Sequence, residues 1–134
     1  MFTLRVREHI MIAHSFKGEV FGPAQKLHGA TFVVDLELMR DDLDENGIVC
    51  DIGALHELLK DVLGPVNYCN LDELEMFKGQ NTTTEVLARH IFMAVRDKIL
   101  GGALGPAAGK AIHGARVTLH ESHVASAAYE GKLA

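Results

Sequence analysis

Tryptophan is absent from this chain of 134 residues, which holds only 2 tyrosines, 2 cysteines and 3 prolines. So few large aromatics give no support to a platform on which nucleic-acid bases stack. Two cysteines, Cys50 and Cys69, do not make a disulfide framework. The default expectation is therefore a reducing compartment, the cytoplasm. Positive charge is in the minority, with 13 Lys and Arg against 18 Asp and Glu and a net charge of −5. That balance argues against a nucleic-acid partner, which needs a basic patch or stripe. No apolar run approaches the roughly 20 residues that cross a bilayer, so no membrane partner is expected. The N-terminal stretch MFTLRVREH carries charges where a secretory signal would have its apolar segment. What is present is a chain of one domain's length, residues 1–134, with 48% apolar residues and enough of them for a single core.

The apolar pattern changes period along the chain. Phe2 to Glu8 alternates, with Phe2, Leu4 and Val6 on one side and Thr3, Arg5 and Arg7 on the other. Thr31 to Leu38 does the same, placing Phe32, Val34, Leu36 and Leu38 inward and Asp35 and Glu37 outward. Both read as half-buried strands, joined by a long loop containing Gly18, Gly22 and Pro23. Beyond the turn at Asp44-Glu45-Asn46-Gly47 the period becomes helical: Ile52, Leu55, Leu58, Leu59, Val62 and Leu63 share a face. Asp51 stands at the N-cap position, and Gly64-Pro65 stops the helix. A second helix is expected from near Thr84, with Leu87, Ile91, Ala94, Val95 and Ile99 as its apolar side. Thr82 and Glu85 have capping-box spacing, Thr84 is the other candidate cap, and capping makes no demand on Thr83. Leu100 to Ala115, rich in Gly and Ala, reads as a flexible surface loop. Strands then return over Arg116–Glu121 and, with small residues, Ala125–Glu130. The order strand, strand, helix, helix, strand, strand predicts an α+β fold: a four-stranded antiparallel sheet with two helices on one face. The two open edges of such a sheet favour oligomerisation.

Some residues carry chemistry. Among eight histidines, His14 and His28 flank the first loop and can approach one another across a hairpin. Zinc normally takes three or four protein ligands, so two imidazoles alone do not make a site. Glu121 shares the parity of Val117 and Leu119, so its carboxylate continues an apolar face. The ordinary explanation is a strand-end carboxylate that reaches solvent. The functional one is an anchor for a ligand with two adjacent N–H donors. Cys50 and Cys69 have the character of small half-buried fillers.

Several segments taken together resemble the 6-pyruvoyl-tetrahydropterin synthase family, which includes the 6-carboxytetrahydropterin synthases. They are Ile12-Ala13-His14, Leu27-His28-Gly29-Ala30, Gly47-Ile48-Val49-Cys50-Asp51-Ile52, Asn70-Leu71-Asp72, Asn81-Thr82-Thr83-Thr84-Glu85, and His120-Glu121 with Tyr129. The resemblance runs from about Phe2 to Tyr129. It implies the tunnelling fold, in which ββααββ units trimerise into a barrel and two barrels stack into a homohexamer. It also implies a pterin-sized pocket at a subunit boundary, with Glu121 accepting hydrogen bonds from the 2-amino group and N3–H of the ligand, and with Thr83, Thr84 and Glu85 beside it. Guanine shares that donor pair.

The departures fall on the chemistry. The family's zinc site uses three histidines, and the third position is Ala30 beside His14 and His28. Its catalytic Cys, Asp and His positions are Ala24, Asn67 and Tyr68. A methyl group takes no proton, Asn67 cannot ionise to steady an imidazolium, and a tyrosine with an ordinary pKa near 10 is a poor base at neutral pH. The expectation is a pterin-binding homologue without the synthase reaction, with no catalytic residues, no zinc and no other cofactor. The alternatives are an enzyme of altered chemistry on a pterin or purine-like substrate, using Tyr68, Cys69, His28 and His14, or a zinc-dependent lyase with a rebuilt site.

Overall fold

A computed structural model describes all of residues 1–134. Strands β1 (Phe2–His14) and β2 (His28–Arg40) pair antiparallel along their whole length, from Phe2 with Arg40 to His14 with His28. β1 runs beyond the expected Phe2–Glu8 because its alternation continues through buried Ile10, Ile12 and His14, and β2 extends past the expected Thr31–Leu38 at both ends as its pairing partner. On one face Val6, Ile10 and Ile12 meet Phe32, Val34, Leu36 and Leu38, all buried. Phe2, expected inward, lies at the open end of the hairpin and is 50% exposed.

Helix α1 (Ile52–Leu63) starts where the Asp51 carboxylate accepts the Ala54 N–H at 2.7 Å. A two-residue strand, β3 (Cys69–Asn70), then runs parallel to β1. It makes the sheet five-stranded and mixed rather than four-stranded and antiparallel. Two residues carry no alternation, so a sequence pattern has no means of showing such a strand. Helix α2 (Thr84–Leu100) follows, then a single turn, α3 (Ala108–Ala111), and strands β4 (Gly114–Ser122) and β5 (Ala125–Lys132). The sheet order is β3-β1-β2-β4-β5.

The segment expected to be a flexible loop over 100–115 is partly tied down: Ala108 and Ile112 are buried, and β4 already begins at Gly114. Small residues that read as a linker serve here as close packing. At the far end of β4 and β5 the approach is tighter still. A Cβ on Gly114 would lie 2.6 Å from the Gly131 carbonyl oxygen, and one on Gly131 would lie 2.9 Å from the Phe92 ring of α2. Leu55 and Leu59 of α1, and Leu87, Ile91 and Val95 of α2, are fully buried between helices and sheet.

The opposite face of the sheet is polar. Arg7 pairs in register with Asp35, and Arg116 lies between Glu37 and Glu130. Asp35 does point to this outward face, as its parity requires, yet it is only 2% exposed. Arg7 donates to it through Nε (2.6 Å) and Nη2 (2.9 Å), and the His120 ring bonds it at 2.8 Å. These partners cover the carboxylate and hold its pKa below the ordinary range, chiefly through the Arg7 hydrogen bonds, against the opposing effect of burial.

Candidate functional site

The site residues gather at one end of the sheet because of register. His14 ends β1 and His28 begins β2, and the two face each other as cross-strand partners with ring centroids 4.6 Å apart. β4 runs antiparallel to β2 with His120 opposite Val33, so Glu121 at its end lies toward the same end of the sheet. α2 begins there too, since Thr82, just before it, bonds His14.

His14 is 3% exposed, and its Nδ1 shares a 3.0 Å hydrogen bond with the Thr82 hydroxyl, itself 1% exposed. Burial and then the neighbouring His28 ring push the His14 pKa below its ordinary value, so the imidazole is neutral at pH 7. His28 donates its Nδ1–H to the Lys26 carbonyl at 2.8 Å. Phe16 packs against both rings, and Phe21 against Phe16. Each imidazole is thus oriented through Nδ1, the arrangement that outer partners give to metal-binding histidines. Ala30 stands two residues beyond His28, opposite Ile12, and brings only a methyl group. No group of three or more His, Cys, Asp or Glu side chains is placed to hold a metal ion. Two imidazoles fall one protein ligand short of what zinc takes, so the donor set present does not fit the group that the resemblance implies.

The start of α2 differs from the capping-box expectation. Thr83 is the N-cap, its hydroxyl accepting the Val86 N–H at 3.2 Å. Thr82 is turned instead into the core to meet His14, because spacing alone does not choose among three consecutive threonines. Thr84 opens the helix half-buried, and Glu85 is exposed in its first turn, where a carboxylate suits the helix dipole. Glu121 is exposed as well. The β4–β5 register shifts between His120 and Ser122, which releases Glu121 from the apolar face that its parity continues.

The remaining positions lie along β1. Asn67 accepts the Met11 N–H on its side-chain oxygen at 3.0 Å, and the Tyr68 N–H donates to the Met11 carbonyl at 2.7 Å. Tyr68 holds a left-handed backbone (φ 60°) and is 79% exposed. The Cys69 thiol faces the Pro65 and Asn67 carbonyls, with no imidazole or amine bonded to it. Ala24 is half-buried in the turn over Glu19–Gln25, and its carbonyl accepts the Phe16 N–H. Asn67 and the Tyr68 backbone therefore pin the β1 edge, a structural task that needs neither an acid nor a base.

The chain matches the model of the 6-pyruvoyl tetrahydropterin synthase family over residues 3–132. It is 30% identical over 95 residues to the 6-carboxy-5,6,7,8-tetrahydropterin synthase of Bacillus subtilis (strain 168). That match covers 68% of this chain and spans 63% of the length of the Bacillus protein. Among solved structures, 6-pyruvoyl tetrahydropterin synthase of Caenorhabditis elegans superposes with a TM-score of 0.81 at 22% identity, covering 98% of this chain and 96% of that one. The Plasmodium vivax protein of the same name gives 0.78 at 17% identity, with 98% of each chain covered. At such identities the structural likeness speaks for the fold, and the family match over nearly the whole length carries the assignment. The chain belongs to the 6-pyruvoyl tetrahydropterin synthase family.

Proposed function

We propose that this protein binds a pterin and does not carry out the synthase reaction, having given up zinc. The observation that carries the reading is the contrast within one end of the sheet. Glu121, Thr84 and Glu85 keep exposed or partly exposed side chains there, with Thr83 engaged as the α2 cap, while the histidine pair has Ala30 in place of a third partner. Glu121 would accept the 2-amino and N3–H donors side by side, and both of its oxygens are free of protein partners. His14 and His28 would then act as a wall of the pocket rather than as metal ligands. Ala24, Asn67 and Tyr68 supply no base, so bound ligand would leave unchanged.

Oligomerisation into a hexamer, a dimer of trimers, belongs to the same reading. The outer edge of β1 meets only β3, at Ile12 and Ala13, and β5 is the other edge of the sheet. Pairing these edges between copies would satisfy their free N–H and C=O groups and complete a pocket at the boundary. Both cysteines are unpaired, in keeping with a cytoplasmic setting.

The test is equilibrium binding of neopterin to the purified protein, followed by its fluorescence, together with zinc content and turnover of dihydroneopterin triphosphate. Saturable binding, no stoichiometric zinc and no turnover are expected. Glu121→Ala should weaken binding by about 10- to 100-fold, the order of charge-assisted hydrogen bonds to one carboxylate. Binding that ignores Glu121→Ala would remove the anchor, and turnover with bound zinc would restore the parent reaction. Altered chemistry at Tyr68 is the second reading, favoured by its exposed side chain, which lines a shallow pocket with Met11 and Cys69. It requires a conversion of bound ligand that Tyr68→Phe abolishes.

A further inference from the structure

We infer that His120 is a positioning residue: tethered to the buried Asp35 carboxylate, it holds β4 in place one residue before Glu121. Where it concerns a ligand, the inference rests on the pterin reading, in which Glu121 is the anchor.

The strand register shows why that point needs a tether. β4 pairs with β2 from Gly114 opposite Met39 to His120 opposite Val33, and the pairing stops there. Glu121 is therefore the first residue of β4 without a β2 partner. Beyond it β4 continues only with β5, through the register shift between His120 and Ser122, to the pair of Ser122 with Ala125. Every residue from Glu121 to Ser126 is exposed. A two-stranded ribbon with no buried face has little stability of its own. Strands open locally where few apolar contacts are broken. A carboxylate on such a ribbon keeps one position only if the strand is fixed at its root.

His120 supplies that fixation from the polar face of the sheet. The register partner of Asp35 on β4 is Thr118, so the His120 ring reaches it diagonally, with Nε2 at 2.8 Å from Oδ2. An ionised carboxylate only accepts, so Nε2 carries the proton of this bond. The acceptor is itself held fast. Arg7, its register partner on β1, donates to both of its oxygens at 2.6 and 2.9 Å. Arg7, Asp35 and His120 thus form a brace across β1, β2 and β4 that ends beside Glu121. Asp35 is the one carboxylate of the chain that is buried. Displacing either partner leaves that charge less compensated, which makes the joint stiff. The other ion pairs of this face, Arg116 with Glu37 and Glu130, lie toward the opposite end of β4 and stay in contact with water.

Hydrogen–deuterium exchange of peptides over residues 119–128 and fluorescence titration with neopterin test the brace in the full chain, well below its unfolding midpoint. His120→Phe keeps a ring and strand propensity but removes the N–H donor; His120→Val serves the same comparison if the phenyl variant does not fold. His120→Gln keeps an amide N–H near the place of Nε2. The donor-free variant should exchange faster over 119–128, with α1 unchanged, and should bind neopterin more weakly. Each change should be about 3- to 10-fold, the order of one charge-assisted hydrogen bond with a partly exposed partner. His120→Gln should recover most of both. Arg116→Met, which breaks the ion pairs away from Glu121, should bind neopterin as the wild type does. Unchanged exchange over 119–128 in the donor-free variant would overturn the inference. So would unchanged affinity in a protein that binds neopterin, an equal loss of affinity in Arg116→Met, or a His120→Gln variant no closer to wild type than His120→Phe. A wild type that binds no neopterin would fail the pterin reading alone, because the exchange comparison needs no ligand and still decides the brace.

Discussion

Removing Arg7 should destabilise the protein more than removing the charge of Asp35, although the two form one ion pair. The reason is their unequal access to water: the Asp35 side chain is 3% exposed, whereas Arg7 is 51% and His120 34% exposed. In Asp35→Asn the amide still accepts at one oxygen, and the released cation turns to solvent. One charge-assisted bond is lost, costing about 1–2 kcal/mol after allowance for the exposure of the partners. In Arg7→Met the carboxylate stays in place without its two-point partner. Arg5 at 3.9 Å and His120 at 2.8 Å remain, so the cost is about 2–3 kcal/mol, below the range for stranding a fully buried charge. For a chain of this length each kcal/mol moves the midpoint by about 3–5 °C. Thermal unfolding followed by circular dichroism at fixed protein concentration reads both values. The pH dependence separates the two variants further. In the wild type the depressed Asp35 pKa contributes stability that is present above the unfolded value of about 3.9 and is lost as pH falls through the folded one. Asp35→Asn lacks that loss. In Arg7→Met, burial raises the pKa of the orphaned carboxyl, so protonation relieves it and the deficit shrinks as pH drops from 7 toward 4. Equal midpoints for the two variants, or a pH-independent deficit in Arg7→Met, would refute the argument that desolvation of Asp35 governs this cluster.

Other positions give sharper local tests. Thr83→Ala should cost about 1 kcal/mol through loss of the α2 cap, and Thr83→Ser should recover most of it; a larger loss in Thr82→Ala would follow from its buried bond to His14. Gly114→Ala should destabilise more than Gly131→Ala, because its Cβ meets a backbone carbonyl that cannot move aside; about 1–3 kcal/mol is expected by chemical denaturation. Thiol alkylation at pH 8 should modify Cys69 well before Cys50, which is buried and whose pKa burial pushes up to about 11; equal rates would place Cys50 at the surface.

The α+β class, both main helices, the cores of the first two strands and the Asp51 cap are legible in the sequence. Each of these rests on contacts that are local or periodic: alternation in Val6, Phe32 and Leu36, helical spacing in Leu55, Leu59 and Leu63, and a carboxylate three residues before the N–H it accepts. The family resemblance was also legible there, because its segments keep their order and spacing. The folded chain settles which of three neighbouring threonines caps α2 and which holds His14, a choice made by a contact 68 residues away in sequence. It decided that the outward-facing Asp35 is buried, through partners 28 and 85 positions distant. It decided that Glu121 leaves its apolar face at a register shift. Parity and spacing describe a side chain's direction along its own strand or helix. Burial and charge environment depend on what the rest of the chain brings opposite it.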